Sequence, residues 1–302
     1  MTPRALAGAW ALLGHGSFSP LPGPRRIGSR GFRAFDMWVE SSGAGTGFCR
    51  RVNSTMRNEP HLRALAAAVE RAKLYSTGAR LLFHMEEVFA GVSLHGKRVL
   101  DIGGGSGLCS FYAAACGARA VTCLEPEAAG SQRGEMNSAF RELAALLDFA
   151  GTVELLPITL QQLECEPGAY EVLVLHDSIN HLDEQACTRL RHDPEAREVY
   201  RRLFRKLAEL TTPKGTLIAV DCSRHNFFPA LGIRNPFAPQ IEWQKHQSPA
   251  LWAGLLLDCG FRNHRVRWSS VNRFGKTGRV LLGNRIAAFF LFGRFCLKME
   301  AS

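Results

Sequence analysis

The sequence predicts an α/β fold: a doubly wound, mostly parallel sheet with helices on both faces and a C-terminal antiparallel strand. Three observations carry this. Between residues 98 and 221, short apolar runs of strand length alternate with longer runs at helical spacing. The first of these strands runs directly into glycines, Gly103-Gly104-Gly105-Ser106-Gly107, ahead of a helix. After the alternation ends, two further segments, 262–271 and 286–297, read as closing strands.

Taken in order, Leu62, Leu65, Ala66, Val69, Leu74, Leu81, Leu82 and Val88 recur mostly at helical spacing and predict one or two helices over 61–89. The alternation then places a strand over 98–102, a helix over 110–116, a strand over 120–124 and a helix over 132–149. Strands over 152–156 and 171–175 follow, then a long charged helix over 193–210 and a strand over 216–221. Pro213 and Gly215 punctuate that last junction. Residues 226–249 break the rhythm with four prolines and several aromatics, and are expected to form a cap. A helix over 250–259 leads into the closing strands. The chain thus divides into a flexible basic N-terminal segment, 1–36, an N-terminal helical region, 37–91, and a main domain, 92–302, carrying the cap insertion at 226–249.

The totals exclude several classes. With 302 residues and 46% hydrophobic content, the chain can bury a large core and is neither fibrous nor disordered in composition. No apolar run reaches the roughly 18 residues of a spanning helix, so no transmembrane segment is expected. The nine cysteines form no C-x-x-C pair and no short zinc-ligand spacing, which implies free thiols and no metal site.

The formal charge of +10 is unevenly spread. Five arginines precede the first acid, Asp36, and the stretch 264–298 holds eight Lys/Arg with no Asp or Glu. Such patches attract nucleic acid, membrane surface or an anionic substrate. The segment 1–36 reads as an organellar transit peptide or a flexible tail, with Met37 as a second candidate start. The cytoplasm is therefore the expected compartment, and a mitochondrion or other organelle the alternative if 1–36 is a leader.

The strongest local pattern is Val99-Leu100-Asp101-Ile102-Gly103-Gly104-Gly105-Ser106-Gly107. Glycines let the backbone approach a ligand and take positive φ, and the helix that follows offers free N–H groups. A dinucleotide turn, G-x-G-x-x-G, does not fit, because Leu108 and Ser110 stand where its third glycine belongs. Asp101 would also face a pyrophosphate unfavourably, whereas it suits a cationic ligand. About 20 residues on, the strand ending in Glu125 offers a carboxylate that can accept bonds from two ribose hydroxyls.

This run resembles the first motif of the class I S-adenosylmethionine-dependent methyltransferases, D-x-G-x-G-x-G, through Asp101, Gly103, Gly105 and Gly107. The resemblance implies a loop that wraps the methionine part of S-adenosylmethionine, with Asp101 near its ammonium group. It places Glu125 on the ribose. Val153 to Gln161 resembles the third motif, with Thr159 where the family often has an acid for the adenine amino group, Gln161 as a second acceptor and Leu160 packed on the ring. Tyr170 to Leu182 resembles the fourth-strand motif, Pro213-Lys214-Gly215 the K-P-G-G of the fifth strand, and Gly260-Phe261 the late G-F. These matches span roughly residues 92–298 in the correct order.

Methyl transfer needs alignment first, and a base only when the acceptor must lose a proton. His176 and His181 follow the fourth strand on the face where ligand should sit, and His176 is placed with the cofactor residues. His181 and His246 are the candidate catalytic bases, with His225 near them. The turn His176-Asp177-Ser178-Ile179 is no N-P-P-Y motif, Asn235-Pro236-Phe237 lies elsewhere, and Cys222 lacks the setting of a cytosine-C5 nucleophile. A small-molecule acceptor, methylated on O, N or S, is therefore expected. The alternatives are an RNA or protein methyltransferase or RNA-binding protein using the basic C-terminal face, and a non-catalytic methyltransferase-like subunit.

Overall fold

The computed structural model describes residues 60–126, 133–269 and 275–302. The segment 1–36, with its transit-peptide expectation, and the first part of 37–91 lie outside the described residues.

Two helices, α1 (Pro60–Arg71) and α2 (Gly78–Val88), precede the sheet. Then come β1 (Arg98–Ile102), α3 (Leu108–Ala115), β2 (Ala120–Leu124), α4 (Arg133–Ala144), β3 (Val153–Leu156) and β4 (Tyr170–His176). The second half holds α5 (Glu184–Arg189), α6 (Pro194–Leu210), β5 (Thr211–Cys222), α7 (Phe227–Ala230), α8 (Pro249–Leu257), β6 (Phe261–Trp268), α9 (Gly275–Leu282), α10 (Arg285–Phe290) and β7 (Arg294–Ala301).

The strands form one sheet in the order β3-β2-β1-β4-β5-β7-β6. Strands β1 to β5 run parallel, and β7 runs antiparallel to both β5 and β6. The chain winds outward from β1 to β3 and then returns to β4 on the other side of β1. That reversal opens a crevice at the carboxyl ends of β1 and β4, where sheets of this kind take ligands.

Period-two alternation sends successive side chains to opposite faces, and each face has its own core. Leu100, Ile102, Leu173, Leu175, Leu217 and Ala219 pack with Tyr200 and Phe204 of α6 and Trp252 of α8. Val99, Val121, Val172, Val174, Ile218 and Val220 pack with Leu65 of α1, Leu81 and Met85 of α2, and Phe111 of α3. The N-terminal helices are thus part of the layer that covers one face. Local chemistry sets the helix starts: Thr77 caps α2, Asp193 caps α6 ahead of Pro194, and Ser248 caps α8 ahead of Pro249.

The C-terminal region differs from the sequence expectation. The run 286–297 is not one strand: its first part is α10, and β7 begins only at Arg294. The unbroken apolar part, 286–292, cannot tell strand from helix by periodicity. Asn284 decides it, its side chain accepting from the Ala287 N–H at 2.9 Å to start a helix. Gly293, at φ 63°, then breaks the chain into the strand. The strand expected over 262–271 ends at Trp268, and α9 is a helix that the sequence reading did not place. The helix expected over 132–149 stops at Ala144, and β5 starts at Thr211, directly from α6.

Candidate functional site

Parallel register sets the ends of β1 and β2 side by side, with Ile102 opposite Leu124. Asp101 is wholly buried at the end of β1, and the Ser110 hydroxyl donates to its Oδ2 at 2.7 Å. Its Oδ1 has no partner among the described residues. Burial pushes its carboxyl up to about 6, against the lowering effect of Ser110. A Cβ on Gly104 would fall 2.7 Å from Asp101 Oδ2, so the carboxylate lies directly beneath the loop.

The three spaced glycines all take left-handed φ, at 68° for Gly103, 56° for Gly105 and 80° for Gly107. Their surroundings separate them. A Cβ at Gly103 would meet Ser178 Cβ at 2.6 Å, and one at Gly107 would meet the Phe140 ring at 2.5 Å. At Gly105 the only neighbour among the described residues is Met136 Sδ, at 3.8 Å. Gly103 and Gly107 are glycines because protein packs on them, while Gly105 presents backbone that no other described residue covers closely. Glu125, just past β2, accepts the Gly105 N–H on Oε2 at 2.9 Å, which ties the two motifs together.

Thr159 stands at the start of the short turn Leu160–Gln162, where its N–H and hydroxyl both donate to Gln162 Oε1, at 2.9 and 3.0 Å. The neighbours expected to share its role are engaged elsewhere. Leu160 is buried within the core, and the Gln161 amide donates to Leu182 O at 2.9 Å. Ile158 is the partly exposed apolar side chain beside Thr159.

Across the crevice, His176 ends β4 inside a cluster the sequence did not foretell. Arg294, the first residue of β7, donates from Nη2 to Asp177 Oδ2 at 2.5 Å and lies 3.3 Å from His176 Nε2. His84 of α2 brings its Nε2 within 2.8 Å of the same His176 nitrogen. A guanidinium only donates, so His176 Nε2 accepts and its proton sits on Nδ1, 3.3 Å from Asp177 Oδ2. His84 therefore donates from Nε2. Burial, aided by Arg294 and opposed by Asp177, pulls His176 down to about 4. Burial and the neighbouring His176 and Arg294 hold His84 well below the usual range. Both rings are neutral at neutral pH. Asp177 takes φ 58° here; burial would raise its carboxyl, but Arg294 and His176 outweigh it and bring it to about 2.

His246, in the cap, pairs through Nδ1 with Asp221 Oδ1 at 2.8 Å. Asp221 is fully buried at the end of β5, its Oδ1 also takes the Cys222 N–H at 2.7 Å, and its Oδ2 has no partner among the described residues. His181 is differently placed. Its Nδ1 meets Glu184 Oε1 at 2.7 Å on a half-exposed rim, where Lys245 bridges Glu184 and Glu242 at 3.2 and 2.6 Å.

The structure thus brings Asp101, Gly103, Gly105, Gly107 and Glu125 into one constellation, with His176 and His246 at neighbouring strand ends and His181 at the outer rim. Sequence reasoning missed His84, Asp177, Arg294 and Asp221. Only Asp221, an acid ending an apolar strand as Asp101 does, carried a local signal.

Other expectations resolve through packing. Asn235 is buried and donates to Asn226 Oδ1 and Leu291 O, so Asn235-Pro236-Phe237 is a structural turn. Burial holds the Cys222 thiol far above its ordinary range, which leaves no thiolate for nucleophilic attack. The cap aromatics Phe227, Phe228 and Phe237 gather with Phe290 and Phe292. Trp243 Cζ3 would lie 3.2 Å from a Cβ on Gly293. A cavity of about 300 Å³ at Lys97, Glu171 and Thr212 sits at the amino end of the sheet, away from the crevice. One of about 260 Å³ lies at the carboxyl end, with His84, Glu87, Arg267, Trp268 and Arg279 in its wall. Among the described residues, no cluster of three or more His, Cys, Asp or Glu is placed to hold a metal ion.

No protein-family model matches the sequence, and no curated protein matches it. Solved structures do. The chain superposes on a Listeria monocytogenes protein described as an S-adenosylmethionine-dependent methyltransferase, with a TM-score of 0.51 and 12% identity, over 75% of this chain and 100% of that one. It also superposes on an S-adenosylmethionine-dependent methyltransferase of Mesorhizobium loti, with a TM-score of 0.50 and 16% identity, over 74% of this chain and 98% of that one. The architecture is that of the class I methyltransferase fold, as the sheet order and the single antiparallel strand β7 require.

Proposed function

From that fold, we propose that the chain is an S-adenosylmethionine-dependent methyltransferase acting on a small molecule at O, N or S. The observation that carries the reading is the Gly105–Glu125 junction. Among the described residues, backbone with no close packing lies on one side, and a carboxylate is fixed beside it by the Gly105 N–H. An ionised carboxylate has about four acceptor positions, so that bond is compatible with holding ribose hydroxyls too.

The residues present fit the cofactor. Glu125 would hold the ribose, Thr159 the adenine amino group, with Ile158 rather than Leu160 against the ring, and the Gly103–Gly107 loop the methionine part. Asp101, with an unpartnered buried oxygen, supplies negative charge beneath the loop. S-adenosylmethionine, when bound, supplies a methyl group already activated on a sulfonium. The protein then has to align the acceptor and take its proton.

His246 is suited to that proton. With Nδ1–H donating to the buried Asp221, its Nε2 keeps a lone pair for the acceptor, as in any carboxylate-oriented histidine base. His181, tied to Glu184, would make a polar contact at the rim, and His176, neutral and enclosed, would shape the crevice wall.

Calorimetric titration tests the reading. S-adenosylmethionine and its demethylated product should bind and raise Tm, with about 2.7 kcal/mol of stabilisation at a hundredfold excess over Kd. NAD should not bind. Folded protein that takes up no S-adenosylmethionine would overturn the assignment. A turnover screen over grouped small acceptors then identifies the substrate.

A further inference from the structure

Among the described residues, the large apolar side chains left in water gather in one place. Leu231, Ile233 and Phe237 of the cap, Val280 and Leu281 of α9, and Ile286 and Phe290 of α10 are exposed, and Leu257 is the sole other case. Val280 is 81% exposed, Ile286 74%, Leu281 66% and Leu231 60%, far more than incidental surface contact leaves.

These segments form one surface. The side-chain amides of Asn226 and Asn235 both donate to Leu291 O, at 2.9 and 2.7 Å, and Phe227 packs on Phe290 at 5.0 Å. The Asn284 amide donates to Leu281 O at 3.0 Å and couples α9 to α10. The cap leaves β5 at Cys222 and α10 enters β7 at Arg294, residues paired in the sheet. The surface therefore crowns the same carboxyl end as the glycine loop.

Its charge has one sign. Neither 222–241 nor 264–298 contains an Asp or Glu. Arg234, Lys276 and Arg285 are exposed and make no ion pair among the described residues. Burial, together with Arg191, Arg224 and Arg285, holds the imidazole of His225 below its usual range, which reports the crowding of cations at this rim.

Apolar side chains ringed by uncompensated cations match a bilayer interface, with acyl chains for the first and anionic headgroups for the second. Other occupants fit less well. Residues 1–59 carry eight arginines against three acids and would be repelled, as would a second copy of the same face. Nucleic acid would satisfy the cations but give Val280, Leu281 and Ile286 nothing to bury against. No helix of the described residues is long and apolar enough to cross a membrane, so the contact is peripheral.

We propose that this face docks on an anionic lipid bilayer, with Leu231, Val280, Leu281 and Ile286 entering the headgroup boundary while Arg234, Lys276 and Arg285 meet the lipid charge. Flotation of the full chain with two vesicle types tests it, one of phosphatidylcholine alone and one containing about a third phosphatidylserine. Two variants accompany it: V280S/L281S/I286S, and R234Q/K276Q/R285Q. The wild type should float with the anionic vesicles about tenfold more than with the neutral ones, and added salt should weaken this. Each variant should lose about tenfold of the anionic binding, with Tm and S-adenosylmethionine affinity unchanged, since every substituted side chain is exposed. Equal recovery with both vesicle types would overturn the proposal, as would undiminished binding by V280S/L281S/I286S. Binding to single-stranded RNA in preference to anionic vesicles would reassign the face to nucleic acid.

Discussion

The two sides of the crevice are built by opposite means. On the β1–β2 side, the site is backbone: three left-handed glycines, one carboxylate beneath them, one beside them, all within 25 residues of chain from Asp101 to Glu125. On the β4–β5 side it is side chains from distant places. His84 meets His176, Arg294 meets Asp177, and His246 meets Asp221. A local loop can be built from neighbouring residues, but the β4–β5 side needs groups that only the finished fold assembles.

If that division is right, His246→Ala should strike chemistry alone. Its kcat should fall about 10²–10⁴-fold, with S-adenosylmethionine Kd unchanged. His181→Ala should leave kcat far less changed. A His246→Ala enzyme with wild-type turnover would break the comparison on the acceptor side.

The loop should divide more finely. Gly107→Ala forces a Cβ into the Phe140 ring in a left-handed conformation and should cost roughly 2–4 kcal/mol of stability. Gly105→Ala should cost only about 1 kcal/mol of stability, yet weaken cofactor binding measured by calorimetry. Equal behaviour of the two would mean that Gly105 does not face ligand. Glu125→Ala should lower cofactor affinity by about 1–3 kcal/mol, with Tm of the ligand-free protein little changed.

The His84–His176 pair adds a pH signature to the side-chain half. A ring at about 4 when folded and about 6.5 when unfolded takes up protons preferentially in the unfolded chain. Its contribution is intact above the unfolded value and is lost as pH falls toward the folded one, on the order of 3 kcal/mol for His176. The drop in Tm between neutral and mildly acid solution should shrink in His176→Gln. Thr159→Val should give the smallest effect, about 0.5–1.5 kcal/mol in cofactor affinity, seen as a modest rise in Kd.

The same contrast explains what could be read from the chain. The sheet, its helices and the Asp101–Gly107 and Glu125 elements were legible because strand alternation and glycine spacing are local. The pairing of His246 with Asp221 was not, although both residues stood in plain view, because 25 positions and a proline-rich cap separate them. Arg294 looked like one more charge in a basic tail; its role comes from β7 lying next to β5. The 286–297 run misled because apolar periodicity is silent over 286–292, where every position is apolar, and the deciding residue, Asn284, stood just outside it.

The position of β7 bears on how the molecule comes into being. The last strand lies between β5 and β6, and its first residue holds the turn at Asp177. During synthesis the glycine loop and its flanking helices can fold early, as N-terminal units do. The β4–β5 side must wait until the ribosome has passed Ala301 and the strand has inserted between two others, a long-range closure of the slow kind. A nascent chain would thus acquire its glycine loop well before the side-chain cluster across the crevice, and an interrupted one would leave β5 and β6 with open edges.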